Sequence, residues 1–221
     1  MKHHSESPGP SEPSGWQPTR RDFLKASTGL LAATALVPLS CQSSRFFPGQ
    51  SARFGLVTDI HYADINSRNN RYHRDSISKL NECTDLMNEQ NVDFLIELGD
   101  FKDQDANPTE EKTIEYLETI ETTYQNYQGP VYHVLGNHDM DSISKKQFLA
   151  HIQNTGITPE SSYYSFDKNG VRFIVLDANF SSDGQEFDHG KFDWTDATVP
   201  PVQLDWLRDT LKSSNQPAIV F

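Results

Sequence analysis

Between residues 52 and 221 the chain alternates short, near-continuous apolar runs with longer stretches in which apolar residues recur at helical spacing. Phe54-Gly55-Leu56-Val57-Thr58, Val92-Asp93-Phe94-Leu95-Ile96-Glu97-Leu98, Val131-Tyr132-His133-Val134-Leu135 and Arg172-Phe173-Ile174-Val175-Leu176 are rich in β-branched and aromatic residues. Such runs predict strands buried on both faces. Ser162-Tyr163-Tyr164-Ser165-Phe166 and the run from Val171 flank Asp167-Lys168-Asn169-Gly170, where Asn-Gly signals a hairpin. Its aromatics read as core. Pro217 to Phe221 opens a further strand. Ile77, Leu80, Thr84 and Met87, then Ile114, Leu117 and Tyr124, and finally Leu204, Leu207 and Leu211 follow an amphipathic helical spacing. Asn107-Pro108 with Glu110 predicts a helix start, and Ser144 with Gln147 a capping box. Strand–helix alternation of this kind predicts a layered α/β domain.

The polar residues at the ends of the apolar runs carry the chemistry. The first run leads into Asp59-Ile60-His61, the second into Gly99-Asp100-Phe101-Lys102-Asp103, and the third into Gly136-Asn137-His138-Asp139. Ligands of open α/β sheets bind outside the carboxyl ends of the strands, so residues far apart in sequence can converge there. Carboxylate and imidazole without thiolate suit manganese, iron, zinc or cobalt, and a carboxylate such as Asp100 can bridge two ions. Singly, each motif has a plain structural reading. Asp-x-His arises by chance in about one chain in five, Gly-Asp after a strand is a common turn, and Asn or Asp after glycine can cap a helix. Their joint occurrence, in order and at strand ends, gives them weight. Asp177-Ala178-Asn179, at another strand end, reads as turn formation before substrate contact, and Arg71 and Arg74 read equally as phosphate contacts or solvated side chains.

In order and spacing, these motifs resemble the first three of the calcineurin-like metallophosphoesterases. Phe54 to His61, followed by Arg71-Tyr72-His73-Arg74-Asp75-Ser76 and Glu97 to Asp103, is most similar to the manganese-dependent ADP-ribose/CDP-alcohol diphosphatase branch. The resemblance covers Ala52 to Phe221. It implies an α/β fold, a metallophosphoesterase-type β-sandwich flanked by helices. It also implies two divalent metal ions (Mn, Fe or Zn) and hydrolysis of phosphate esters or nucleotide pyrophosphates by a metal-activated water. Carried over residue by residue, Asp59 and His61 would hold the first ion, Asp100 would bridge, and Asn137 would hold the second. His138 would assist the leaving group, Asp139 would orient His138, and Asp103 would stand behind the ligands. The family's remaining histidine ligands follow the strand that opens at Pro217, and nothing in the sequence brings His73, His133, His151 or His189 to the site. The expectation is therefore a domain incomplete at its C-terminus. The alternative to the enzyme is a catalytically impaired or noncatalytic exported metal- or phosphate-binding fragment.

The N-terminal part has a different composition. Residues 1–18 are rich in Pro, Ser, Gly and His and read as a disordered tail. Thr19-Arg20-Arg21-Asp22-Phe23-Leu24-Lys25 precedes an uncharged stretch from Ala26 to Ser40. This is the layout of a twin-arginine signal over 19–41, too short to span a membrane with ease. Cleavage after Ala35, or lipidation at Cys41, would give a periplasmic, extracellular or membrane-anchored protein after passage through the twin-arginine export machinery. Residues 42–51 read as a linker and 52–221 as one domain. A net charge of −12 argues against nucleic-acid partners. With Cys41 and Cys83 as the two cysteines, no disulfide framework is implied.

Overall fold

Side-chain alternation along three short strands creates two different faces of one sheet. The computed structural model describes residues 51–221 except Asn69; the stretches read above as tail, twin-arginine signal (with Ala35 and Cys41) and linker lie outside the described residues. Strands β1 (Phe54–Val57), β2 (Phe94–Glu97) and β3 (Val131–His133) form a parallel sheet in the order β1-β2-β3, with Phe54 opposite Phe94 and Leu95 opposite Val131. Helices α1 (Ser76–Gln90) and α2 (Glu110–Tyr124) are the crossovers. Leu95 and Val131 point to one face, where Leu80 of α1 and Tyr116, Leu117, Ile120 and Tyr124 of α2 cover them. Phe94, Ile96 and Tyr132 point to the other.

That second face meets another sheet. Strands β4 (Tyr164–Lys168), β5 (Val171–Val175) and β6 (Ala218–Val220) run in the order β4-β5-β6, with β4 antiparallel and β6 parallel to β5. Aromatic rings join the two layers: Tyr132 stacks on Phe166 at 3.7 Å, and Phe94 meets Phe173 edge-on at 4.7 Å. Full burial of each such ring contributes about 1.5–3 kcal/mol. The result is a β-sandwich with helices outside it, the α/β fold class that the alternation predicts. The β4–β5 turn has positive φ at Asn169 (49°) and Gly170 (78°), the pair of left-handed residues that an Asn-Gly hairpin demands.

Helix ends follow local chemistry. In α2 the cap is Thr109, whose hydroxyl accepts from Lys112 N at 3.2 Å; Asn107-Pro108 lies just ahead. Helix α3 (Lys145–Ala150) carries the expected capping box, with Gln147 N on Ser144 Oγ and Ser144 N on Gln147 Oε1. Helix α4 (Pro201–Lys212) departs from its amphipathic pattern: Gln203 is its buried residue, while Leu204 and Leu211 are 45% and 44% exposed. Its links to the second sheet include the Arg172 guanidinium, which donates to Thr210 O and Ser213 Oγ, and the Trp206 ring against Tyr163.

Candidate metal centre

Backbone pairing continues past the ends of β1 and β2 and shapes the loops there. Asp59 N donates to Gly99 O (3.1 Å), His61 N to Asp100 O (2.8 Å) and Tyr62 N to Phe101 O (3.2 Å). Along this pairing Asp59 (φ 57°), His61 (φ 47°) and Asp100 (φ 58°) take the left-handed conformation; His61 is buried and Asp100 partly so, while the Asp59 side chain stays exposed. Asp and His tolerate it better than most residues, yet each instance is strained, and such residues cluster at functional sites. Gly136 brings the third loop against the second. A Cβ there would lie 2.8 Å from Gly99 C and closer still to Asp100 N and Oδ1, so no larger residue fits.

These loops place His61 Nε2 3.6 Å from Asp59 Oδ1 and 3.5 Å from Asp100 Oδ2. Both separations are too long for good hydrogen bonds. Each separation, taken as a pair, matches two ligand atoms on one ion, since two atoms each 2.0–2.2 Å from a metal stand about 3–3.6 Å apart. His61 is buried, and both its ring nitrogens lack a hydrogen-bond partner within the protein. An imidazole so placed forfeits hydration unless a cation takes its lone pair. Burial also lowers the His61 pKa, against the pull of Asp100, and so favours the neutral form that binds metal. Asp100 Oδ1 accepts from His138 N at 3.0 Å, which leaves Oδ2 for the His61 side. Asn137 opens the turn between Gly136, packed on Asp100, and His138, bonded to it. His61 and Asp100, grouped with His138 within 4.8 Å, therefore fit a divalent metal, while the exposed Asp59 carboxylate reaches His61 but does not join that group.

His138 stands next to the set, its ring 4.8 Å from that of His61 and edge-on to it. Its orienting carboxylate is Asp141, not Asp139. Asp141 Oδ2 lies 2.6 Å from His138 Nδ1, and this bond raises the His138 pKa against burial. The reason is local: residues 137–140 form a 3₁₀ turn, and in that geometry side chains three apart eclipse one another. Asp139 is directed into the protein instead. Its carboxylate accepts the backbone N–H of Gly136 (2.8 Å), Phe101 (2.9 Å) and Asp100 (3.1 Å), tying two loops together. Burial, helped by Glu97, pushes its pKa up to about 8, opposed by Lys102 and the Gly136 N–H.

Four further residues complete the surroundings. Arg71 sets both terminal guanidinium nitrogens 3.4 Å from His138 Nε2, whereas Arg74 pairs with Asp64 at the surface. Lys102, fully buried, donates from Nζ to His138 O at 2.6 Å. Asp103 is buried behind His61: Oδ2 lies 3.7 Å from His61 Nδ1, and Oδ1 accepts from Arg68. Burial acts to raise its pKa but is outweighed by Gln104 N–H, His73 and Arg68, which hold it low. His73, which the sequence does not place at the site, is buried there with Nδ1 2.9 Å from His61 O and 3.5 Å from Asp103 Oδ2. His133 lies deeper, on the helix side of the sheet, between Glu97 (3.1 Å) and Glu121 (3.2 Å). His151 and His189 pair elsewhere with Glu118 and with Glu110 and Asp188.

The manganese-dependent ADP-ribose/CDP-alcohol diphosphatase of Oryza sativa is 31% identical over 144 residues, which cover 62% of this chain and 44% of that protein. The Arabidopsis thaliana protein of the same name is 28% identical over 131 residues, covering 56% and 41%. The chain thus spans less than half the length of these relatives. In architecture it is similar to a dimetal phosphatase from Danio rerio, with a TM-score of 0.62 at 23% identity, covering 77% of this chain and 68% of that one. The calcineurin-like phosphoesterase family profile matches residues 52–221, the whole of the sandwich and the three loops that follow β1, β2 and β3, and the chain belongs to that family.

Proposed function

We propose that the domain is a metal-dependent hydrolase of phosphate esters or nucleotide pyrophosphates, with ADP-ribose and CDP-alcohols as first candidate substrates. The observation that carries this reading is the grouping of His61, Asp100 and His138, whose ligand atoms lie within 4.8 Å of one another, with Asp59 Oδ1 3.6 Å from His61 Nε2. Asp59, His61 and Asp100 would hold one divalent ion, and Asp100 and Asn137 a second. Such ions neutralise phosphoryl oxygens and make water acidic enough to attack phosphorus. The candidate substrates follow from similarity to the diphosphatases, and because those relatives are enzymes we prefer this reading to a noncatalytic binding protein.

The protein's own groups supply the remaining chemistry. Asp103 lies behind His61, with Oδ2 3.7 Å from Nδ1, on the side away from Asp59 and Asp100, which approach Nε2. Asp141 bonds Nδ1 of His138, so Nε2 is the atom turned towards substrate. With its pKa raised by Asp141, His138 holds a proton there and gives it to the leaving oxygen as the P–O bond breaks. Arg71, beside the same nitrogen, offers its guanidinium to a phosphoryl oxygen. Asp100→Asn tests the reading: electron paramagnetic resonance of free Mn2+ should show affinity weakened by about tenfold or more, with loss of ADP-ribose hydrolysis. Unchanged affinity and turnover would remove the assignment.

We also propose that the product leaves the cytoplasm by the twin-arginine route, a reading supported by Arg20-Arg21 and the uncharged stretch after them. Arg20→Lys with Arg21→Lys should retain a fused reporter in the cytoplasm; continued export would refute it.

A further inference from the structure

Asp177-Ala178-Asn179 follows the end of β5 in the second sheet, and the chemistry proposed above makes no use of it. Its two polar side chains are nonetheless buried. Asp177 Oδ2 pairs with Lys145 Nζ of α3 at 2.7 Å, and both groups are withdrawn from water. The Lys145 ammonium also lies 3.7 Å over the Phe180 ring and donates to Asn179 O at 3.3 Å. Gln203 of α4 brackets Asp177 from the other side, accepting its N–H at 3.0 Å and donating to its carbonyl at 2.9 Å. Desolvating an ion pair gives little net stability, so a pair kept at such a place points to a requirement for defined position.

What the pair positions is Asn179. Its N–H and its side-chain amide both donate to Asp177 Oδ1, at 2.9 and 3.2 Å, which fixes the direction of that amide. The amide's remaining bond crosses to the first sheet: Nδ2 donates to Leu135 O at 2.8 Å. Leu135 immediately precedes Gly136, the residue packed on Asp100, and Asn137. We infer that Asn179 is a positioning residue for the Gly136–Asp141 turn, held rigid by the Lys145–Asp177 pair, so that the second sheet sets where the first presents Asn137 and His138. The inference rests on the metal-centre reading.

The test uses the full chain and Mn2+ alone. Asn179→Ala should raise the Mn2+ dissociation constant about tenfold and speed amide hydrogen exchange at Gly136 and His138 in metal-free protein. Ile120→Val, a buried change on α2 that removes no hydrogen bond of this network, serves as a control for mere loss of stability and should leave the constant within about twofold. If Asn179→Ala does not fold, Asn179→Ser, too short to reach Leu135, takes its place. An Asn179 variant with both affinity and exchange like wild type overturns the inference. Asp100→Asn run in parallel separates the two claims: if it leaves Mn2+ binding intact, the metal-centre reading fails, and exchange at Gly136 alone decides the role of Asn179.

Discussion

Gly136→Ala isolates the close approach on which the centre is built. Gly136 has φ −93° and ψ 168°, an extended conformation that alanine adopts freely, so the backbone itself resists nothing. The obstacle is contact: the new Cβ would lie 2.8 Å from Gly99 C and nearer still to Asp100 N and Oδ1. None of these atoms ends a flexible chain, because Asp100 Oδ1 is held by His138 N and Asp100 N by Asp139. Overpacking of this sort costs about 1–3 kcal/mol, offset by about 0.4–1 kcal/mol from the stiffer unfolded chain. The net loss of about 1–2 kcal/mol should lower the melting temperature by about 3–6 °C in a domain of this size. Because the relief must come from moving Asp100, Mn2+ affinity should fall about 10–100-fold. Gly156→Ala is the matched control. Gly156 has φ +73° and nothing within 4 Å of where a Cβ would sit, so alanine there is strained by about 1 kcal/mol without touching the centre. Mn2+ titration and thermal melts on both variants decide the matter. Equal Mn2+ affinity in Gly136→Ala and Gly156→Ala would refute the argument that this contact sets the ligand geometry.

Two pH-dependent outcomes follow from the buried histidines. Burial alone would lower the His133 pKa, but Glu121 and Glu97 raise it from 6.5 to about 10. A group raised on folding contributes fully below its unfolded pKa, so this stability should fall as pH rises from 6.5 through about 10. Denaturant melts of Glu121→Gln should show that window closing at lower pH, and an unaltered profile would refute the pairing. At the site, Asp141→Asn removes the main cause of the raised His138 pKa, so the alkaline limb of kcat for ADP-ribose should move to lower pH. Asp139→Asn should instead lower stability, since its amide nitrogen cannot accept the backbone N–H groups that Asp139 gathers. A shift of the pH limb by Asp139→Asn but not by Asp141→Asn would reverse the two roles.

The strands were legible because a parallel strand covered on both faces needs apolar residues at consecutive positions, as Phe94-Leu95-Ile96 supplies. Glu97 breaks that pattern at full burial, and no periodicity predicts it; its reason lies on α2 and β3, in Glu121 and His133. Asp59, His61 and Asp100 could be read because their side-chain types and strand-end positions carry the chemistry directly. The partner of His138 could not. Whether position 139 or 141 reaches an imidazole depends on the winding of one turn, and the 3₁₀ geometry chose the residue three along. Lys102 follows the same rule: a lysine in a polar loop reads as solvated, and only the path of the third loop turns it inward onto His138 O. Arg71 and His73 reach the site because the chain after His61 doubles back, with His73 bonding the His61 carbonyl from twelve positions away.

The three left-handed residues also explain why so much buried polarity surrounds this site. Conformations of this kind cost about 1–3 kcal/mol each and persist only where neighbouring structure over-determines them. Asp59 and His61 are held by N–H bonds to Gly99 and Asp100, and Asp100 in turn by Asp139, whose carboxylate collects N–H groups from two loops. Lys102 fixes the His138 carbonyl, and Asn179 fixes that of Leu135 from the opposite sheet. Each tie is to backbone, and each falls within three residues of Asp100, Asn137 or His138. An apolar core of equal volume would stabilise the sandwich as well or better, but it would leave the loops free to relax out of their strain. The buried charges therefore hold ligand geometry in place before any ion arrives, so that binding energy need not be spent on assembling the site.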